Sequence, residues 1–208
     1  MSLISWGIAS LYDRIMGRAE KACLGQWRQQ LLFPLSGRVL EIGAGTGINL
    51  AYYPPSVTSL ILAEPDQNMR RRLAGRLPEQ TRRVEVIAAA AEQLPFPDNS
   101  FDAIVSTLVY CSVQSPAASL KEAWRVLAPG GKLALIEHVG AIDNAVLCRW
   151  QRRVEPFWKR CAGNCHLTRD TLASLRSAGF ACEAIRRDTL HGAIWLVEPV
   201  IRGIAEKP

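Results

Sequence analysis

A doubly wound α/β fold, with one mostly parallel sheet of seven strands and a C-terminal antiparallel hairpin strand, is predicted by three observations on the sequence. Short apolar, β-friendly runs alternate with segments of helical periodicity. The connections between them are short. The first run empties directly into a cluster of glycines. A chain of 208 residues can bury a core of its own without disulfides or other staples, so one compact domain is expected.

The elements follow in order. Ser2 to about Leu32 reads as helix, because Ile4, Ile8, Leu11 and Ile15 share one face at helical spacing. Pro34-Leu35-Ser36-Gly37 breaks it. The first strand is Arg38–Ile42 and the second is Thr58–Ala63, followed by a helix from about Asp66 to Arg76. Val84–Ala88 is the third strand. The fourth, Phe101–Thr107, leaves the turn Pro97-Asp98-Asn99-Ser100. A helix from about Ser115 to Leu127 is stopped by Ala128-Pro129-Gly130-Gly131, read as a tight turn before the fifth strand, Lys132–Glu137. Helices around Asp143–Arg160 and Thr168–Ala178 precede two final strands near Phe180–Arg187 and His191–Val197. Too few residues separate these last two for a crossover, so they form a hairpin and introduce one antiparallel strand.

Composition narrows the function. With 49% apolar and 21% charged residues, 15 Gly and 12 Pro, the chain is neither collagen-like, low-complexity nor disordered. Its apolar stretches are interrupted well short of a membrane span. The N-terminus lacks the basic, apolar, small-residue order of a secretory signal, so a cytoplasmic protein is expected. The net charge of +6 is scattered in short clusters (Arg70–Arg72, Arg82–Arg83, Arg149 with Arg152–Arg153, Arg186–Arg187) with no interleaved aromatics. Solvated helix faces account for them, and no nucleic-acid partner is assigned. The six cysteines are expected to be reduced. Cys161-x-x-x-Cys165-His166, with Cys148 upstream, lacks the paired spacing of a zinc site, so no metal is assigned.

In a doubly wound sheet, ligands bind beyond the carboxyl ends of the strands. Those ends carry Glu41 with Gly43-Ala44-Gly45-Thr46-Gly47, then Glu64-Pro65, Ala91-Glu92, Thr107-Leu108 and Glu137-His138. The glycine pattern is G-x-G-x-G, not the dinucleotide fingerprint G-x-G-x-x-G, because Ile48 occupies the sixth position.

Val39–Gly47 (VLEIGAGTG), Glu64, Ala91–Asp102 (AEQLPFPDNSFD) and Arg125–Leu133 (RVLAPGGKL) resemble the class I S-adenosylmethionine-dependent methyltransferases. Gly45–Pro55 (GTGINLAYYPP), Ser106–Val113 (STLVYCSV), Ile136–Val139 (IEHV) and Cys165–Arg169 (CHLTR) are similar to the methyltransferase-like thiol S-methyltransferases. The resemblance implies S-adenosyl-L-methionine as cofactor. Glu41, Gly43, Ala44, Gly45, Gly47 and Asn49 would hold its methionine part, and Glu64 with Pro65 its ribose. Ala91 and Glu92 would lie beside the adenine, and Thr107 and Leu108 below the sulfonium. Many relatives carry Asp where this chain has Ala90. Tyr12 matches the N-terminal lid of quinone-methylating relatives, so residues 1–34 are expected to form a helical lid on a methyltransferase domain of residues 35–208. Glu137 and His138 are the catalytic candidates, as base or orienter of a thiol, with His166 and His191 as further candidates near the acceptor pocket. Trp150, Phe157 and Trp158 suit a hydrophobic acceptor.

The expected activity is methyl transfer to a small hydrophobic thiol or sulfide. Quinone C-methylation, phospholipid N-methylation and a non-catalytic role in binding the cofactor stand as alternatives. Arsenite methylation uses several cysteines, and the spacing of the six offers no convincing trio. The animal thiol enzymes carry a longer apolar N-terminal anchor. The apolar face of the first helix could lie on a membrane surface, but docking onto the domain is the commoner outcome.

Overall fold

The computed structural model describes residues 14, 16–77 and 83–208. Tyr12 and the apolar positions Ile4, Ile8, Leu11 and Ile15 lie outside these residues, as does Arg82. From residue 16 the chain is helical, passing through a π-helical turn at Glu20–Leu24 into α1 (Gly25–Leu32). Then come β1 (Gly37–Ile42), β2 (Val57–Ala63), α2 (Gln67–Ala74), β3 (Arg83–Ile87), β4 (Phe101–Thr107), α3 (Pro116–Val126) and β5 (Leu127–His138). The chain closes with α4 (Ala145–Cys161), α5 (Thr171–Ser177), β6 (Arg186–Thr189) and β7 (Pro199–Glu206). The helices after the strands are capped as their sequences suggest. Asp66, Ser115, Asn144 and Asp170 each accept from a backbone amide in the first turn.

The sheet order is β3-β2-β1-β4-β5-β7-β6. β1 through β5 pair in parallel, and β7 runs antiparallel to both β5 and β6. Alternate strand residues serve two cores. Leu40, Ile42, Ile104, Leu133 and Leu135 pack with Leu120, Ala123 and Val126 of α3 and Leu175 of α5. Val39, Leu60, Leu62, Val105, Ala134 and Ile136 pack on the other face with Leu24, Trp27, Leu31 and Leu32. Both faces are covered, which is why the strands read as unbroken apolar runs instead of alternating ones.

Three sequence expectations fail in the second half. Ala128–Gly131 is not a turn before β5 but part of it. Phe101 pairs with Leu127 and Ala103 with Lys132, so the intervening residues bulge from the ladder. The C-terminal tail fills the gap: Gly130 N donates to the Lys207 carbonyl (2.8 Å) and Lys207 N to that of Gly131 (3.0 Å). The second correction concerns His191–Val197, which is no strand. It holds Gly192 at φ 83° and a 3-10 turn at Trp195–Val197. The hairpin partner is instead β7, which buries Val200, Ile201 and Ala205. The apolar run at residues 193–197 mimics a strand, whereas in β7 the polar Arg202 and Gly203 interrupt the pattern. β6 is likewise shorter than the expected Phe180–Arg187, and Ala181 makes only an isolated bridge to Glu206.

Gly203 adopts φ 145°, and a Cβ there would overlap the Ala184 carbonyl oxygen. Gly203→Ala is expected to cost about 1–3 kcal/mol in urea unfolding. Gly17→Ala, where a Cβ meets nothing within 4 Å, is expected to be neutral or stabilising by up to about 1 kcal/mol.

Candidate functional site

The order of the strands reverses between β1 and β4, and the expected site residues gather at the carboxyl ends on either side of that point. Glu41, 2% exposed at the end of β1, accepts from Asn49 Nδ2 at 2.9 Å and from the Tyr53 hydroxyl at 2.7 Å. Asn49 Nδ2 also donates to Thr107 Oγ1 (3.0 Å) at the end of β4. Arg28, reaching in from α1, donates to Asn49 Oδ1 (2.7 Å) and Thr107 Oγ1 (3.1 Å) and is ion-paired to Glu20 at 2.8 Å. One polar network therefore joins α1, β1, the turn after it and β4. Burial pushes the Glu41 carboxyl up to about 7, opposed by the hydrogen bonds from Tyr53 and Asn49 and the charge of Arg28. The structure places Glu41, Asn49 and Thr107 as braces of one another.

Above this network runs the glycine turn. Gly43, Gly45 and Gly47 have φ of 59°, 56° and 80°. A Cβ on Gly43 would press on Val109 and one on Gly47 on Leu73, both at 2.6 Å, so those two glycines serve packing as well as conformation. At Gly45 the nearest atom to a Cβ is the Gly43 carbonyl at 3.9 Å, which leaves an open cradle. Ala44 is buried beside it. Beyond β2, Glu64 accepts one bond on each carboxylate oxygen, from Gly45 N and Asp66 N, both 2.8 Å. Each oxygen keeps a lone pair, enough for a diol. Burial raises the Glu64 carboxyl, against the pull of those two amides. Pro65 next to it is exposed.

S-adenosylmethionine, implied by the sequence resemblance, fits this rim. It needs a carboxylate for two hydroxyls and a close backbone approach, and Glu64 and the open face at Gly45 supply them. Ala91 is buried near the end of β3, and Glu92 accepts from Gln114 N at 2.7 Å and Ser115 N at 3.3 Å, linking two rim loops. Leu108 is held at φ 61°, an uncommon conformation for a branched side chain, directly after β4.

The far side of the rim is built on Glu137. This carboxylate is fully buried and accepts from Ser106 Oγ (2.6 Å), Val109 N (3.0 Å) and Cys111 N (3.4 Å). Burial raises it to about 7 despite those bonds. It thus pins the loop after β4 from beneath, and Arg169 pins it from above through the carbonyls of Tyr110 and Val113, both at 2.6 Å. His138 is 2% exposed, with Nδ1 3.7 Å from Cys165 Sγ and Nε2 without a hydrogen-bond partner among the described residues. The Cys111 thiol, then His138 and the Trp158 indole, hold the Cys165 thiol far below its usual range, while the thiol of Cys111 moves up.

Of the remaining candidates, His166 faces Glu155 at 3.5 Å and His191 is exposed. Trp150 and Phe157 are 47% and 70% exposed, on the outer side of α4, and only Trp158 turns inward. Sequence reasoning missed Glu20, Arg28, Tyr53, Ser106 and Arg169. Their partners lie up to 79 positions away; Tyr53, Ser106 and Arg169 fall inside the motifs quoted for the resemblance, but the motifs alone do not say which partners they reach. Two surface depressions, of about 360 and 220 Å³, lie at the amino-terminal half of the strands, away from the rim.

The family model for a methyltransferase domain matches residues 40–135. Rat thiol S-methyltransferase TMT1B is 38% identical over 147 residues, 69% of this chain and 59% of that protein. Human thiol S-methyltransferase TMT1A is 34% identical over 173 residues, 81% of this chain and 70% of that protein. Thus the chain spans about three fifths of the rat relative's length. A demethylmenaquinone methyltransferase of Clavibacter sepedonicus is 35% identical over 138 residues, covering 62% of this chain and 54% of its own length. Among solved structures, an S-adenosylmethionine-dependent methyltransferase of Thermotoga maritima, described as a possible histamine N-methyltransferase, superposes with a TM-score of 0.68. It is 25% identical and covers 99% of this chain and 98% of its own.

Because folded-state protonation of Glu41 extends to about pH 7, its stabilising contribution is complete below about pH 4.5 and is lost as pH rises through about 7. Glu137 has the same sign. The Glu41→Gln variant is therefore expected to show a shallower loss of urea stability between pH 5 and 8 than the parent chain. The slope per group is at most about 1.4 kcal/mol per pH unit.

Proposed function

The chain belongs to the class I S-adenosylmethionine-dependent methyltransferases, and from that premise we propose that it methylates the sulfur of a small, apolar thiol. The observation that carries the acceptor is the 38% identity to a thiol S-methyltransferase across 69% of the chain.

S-adenosylmethionine, when bound, supplies an electrophilic methyl group on a sulfonium. In this reading the chain's own residues align and exclude water, since an in-line transfer that neutralises a cation asks little else. Glu64 takes the ribose hydroxyls with the lone pairs left by Gly45 N and Asp66 N. Pro65 follows it, and Ala91 and Glu92 flank the base. The Gly43–Gly47 turn closes on the methionine portion, braced from below by Glu41 and Asn49, and Thr107 and Leu108 form the floor. Tyr12 would cover the site from the N-terminal segment. Glu137 acts as a positioning residue, because its contacts hold the end of β4 at Ser106 and the loop after it at Val109 and Cys111. His138 stands on the acceptor side as an orienting group. A second reading, C-methylation of a quinone ring, draws support from the 35% identity to the demethylmenaquinone enzyme. No described helix is long and apolar enough to cross a membrane.

Transfer of labelled methyl groups to a panel of sulfide, aliphatic and aromatic thiols, a demethylated quinone and phosphatidylethanolamine tests this reading. Label on thiols alone is expected; label on the quinone or the lipid would overturn the acceptor assignment. Glu64→Ala is expected to weaken cofactor binding roughly 100- to 10,000-fold by calorimetry, since each of the two hydrogen bonds to the charged carboxylate contributes about 1.5–3 kcal/mol. Unchanged affinity in a folded variant would remove Glu64 from the ribose site.

A further inference from the structure

Three side chains far apart in sequence meet behind the carboxyl ends of β4 and β5. One donor atom each from Cys111, His138 and Cys165 lies within 4.8 Å of both others. The edge between His138 Nδ1 and Cys165 Sγ measures 3.7 Å. Around a tetrahedral zinc ion, with bonds of about 2.3 Å to sulfur and 2.0–2.1 Å to nitrogen, that edge would be about 3.6 Å. None of the three cysteine or histidine groups has to be gathered from a mobile surface. Cys111 sits in the loop clamped by Glu137 and Arg169, and His138 is the last residue of β5. The turn carrying Cys165 is tied back by His166 N to the Cys111 carbonyl at 2.8 Å. Both cysteines are free thiols.

We propose that Cys111, His138 and Cys165 form a binding site for one thiophilic divalent cation of the zinc class. Two thiolates and an imidazole suit zinc and its neighbours and discriminate against magnesium and calcium, which prefer oxygen. Two buried thiols alone would be ordinary packing. The imidazole nitrogen set against a sulfur, in a pocket with no carboxylate oxygen on that nitrogen among the described residues, is what packing does not require. Three protein ligands leave a fourth position for water or an external donor, the composition of an open site. A bound cation would join the loop after β4, the end of β5 and the connection between α4 and α5, three segments already held together by the hydrogen bonds of Glu137, Arg169 and His166 N to that loop. Ligand thiols give up their protons on binding, so affinity rises with pH.

The test uses the full chain, kept reduced, stripped with a chelator and titrated with Co²⁺, followed by Zn²⁺ in competition. The expected result is one equivalent bound, with thiolate-to-cobalt charge-transfer absorption and the visible bands of tetrahedral cobalt, both erased by zinc. Cys165→Ser, at a partly exposed position, should weaken binding by more than the roughly 100-fold that even an outer partner of a metal site can cost. Cys161→Ser, on an exposed thiol outside the trio, should bind like the parent. Absence of the bands in the folded parent at excess cobalt would overturn the site, as would their persistence in Cys165→Ser. Methyl transfer enters none of these readouts, so their failure leaves the proposed activity untouched.

Discussion

Three carboxylates, Glu41, Glu64 and Glu137, are carried out of water at the ends of β1, β2 and β5, and the architecture of the rim follows from where their lone pairs are satisfied. A buried carboxylate is costly unless hydrogen bonds reach it. Each of the three draws donors from a different segment: Asn49 and Tyr53 onto Glu41, Gly45 and Asp66 amides onto Glu64, Ser106 and the amides of Val109 and Cys111 onto Glu137. The loops that build the site are therefore held by acceptors at the strand ends as well as by contacts among themselves, such as those of Glu92 and Arg169. Burial of the sheet on both faces makes those acceptors effective, because water cannot compete for the donors.

The same logic explains the asymmetry between the two halves of the rim. On the β1–β2 side the glycine turn leaves an open face at Gly45 and spare lone pairs on Glu64, the features of a surface meant to be covered by a ligand. On the β4–β5 side the donor atoms of His138, Cys111 and Cys165 lie within 4.8 Å of one another. The first half suits the large, polar cofactor.

The antiparallel end of the sheet depends on a different constraint. β7 must enter between β5 and β6, and it does so beside Lys207, whose ammonium is buried on the carbonyls of Trp124 (2.8 Å) and Leu127 (2.6 Å) and on Asn99 Oδ1 (2.9 Å). That anchorage, with the pairing of the tail on the bulge at Gly130 and Gly131, makes Ala128–Gly131 part of a strand although its residues spell a turn. The apolar run at residues 193–197 lost its expected place as a strand for a related reason: Gly192 packs against the backbone of Arg18 and Ala19, and the chain turns there.

By itself the sequence determined what local rules control: β1 to β5, their connecting helices, the capping residues Asp66 and Ser115, and the glycines, Glu41 and Glu64 of the rim. Continuous apolar runs, turn chemistry and helical periodicity act over a few residues, and those signals survive whatever the rest of the chain does. Tertiary structure alone decided the identity of the last strand, the Arg28 bridge from α1 to Asn49 and Thr107, the role of Glu137 as a loop anchor, and the meeting of Cys111, His138 and Cys165. Cys161, four positions before Cys165 in the sequence, lies on the surface. The partners that count come from two other strands' ends, 54 and 27 positions away from Cys165. Such pairings depend on strand order and register in the assembled sheet, which the one-dimensional pattern does not encode.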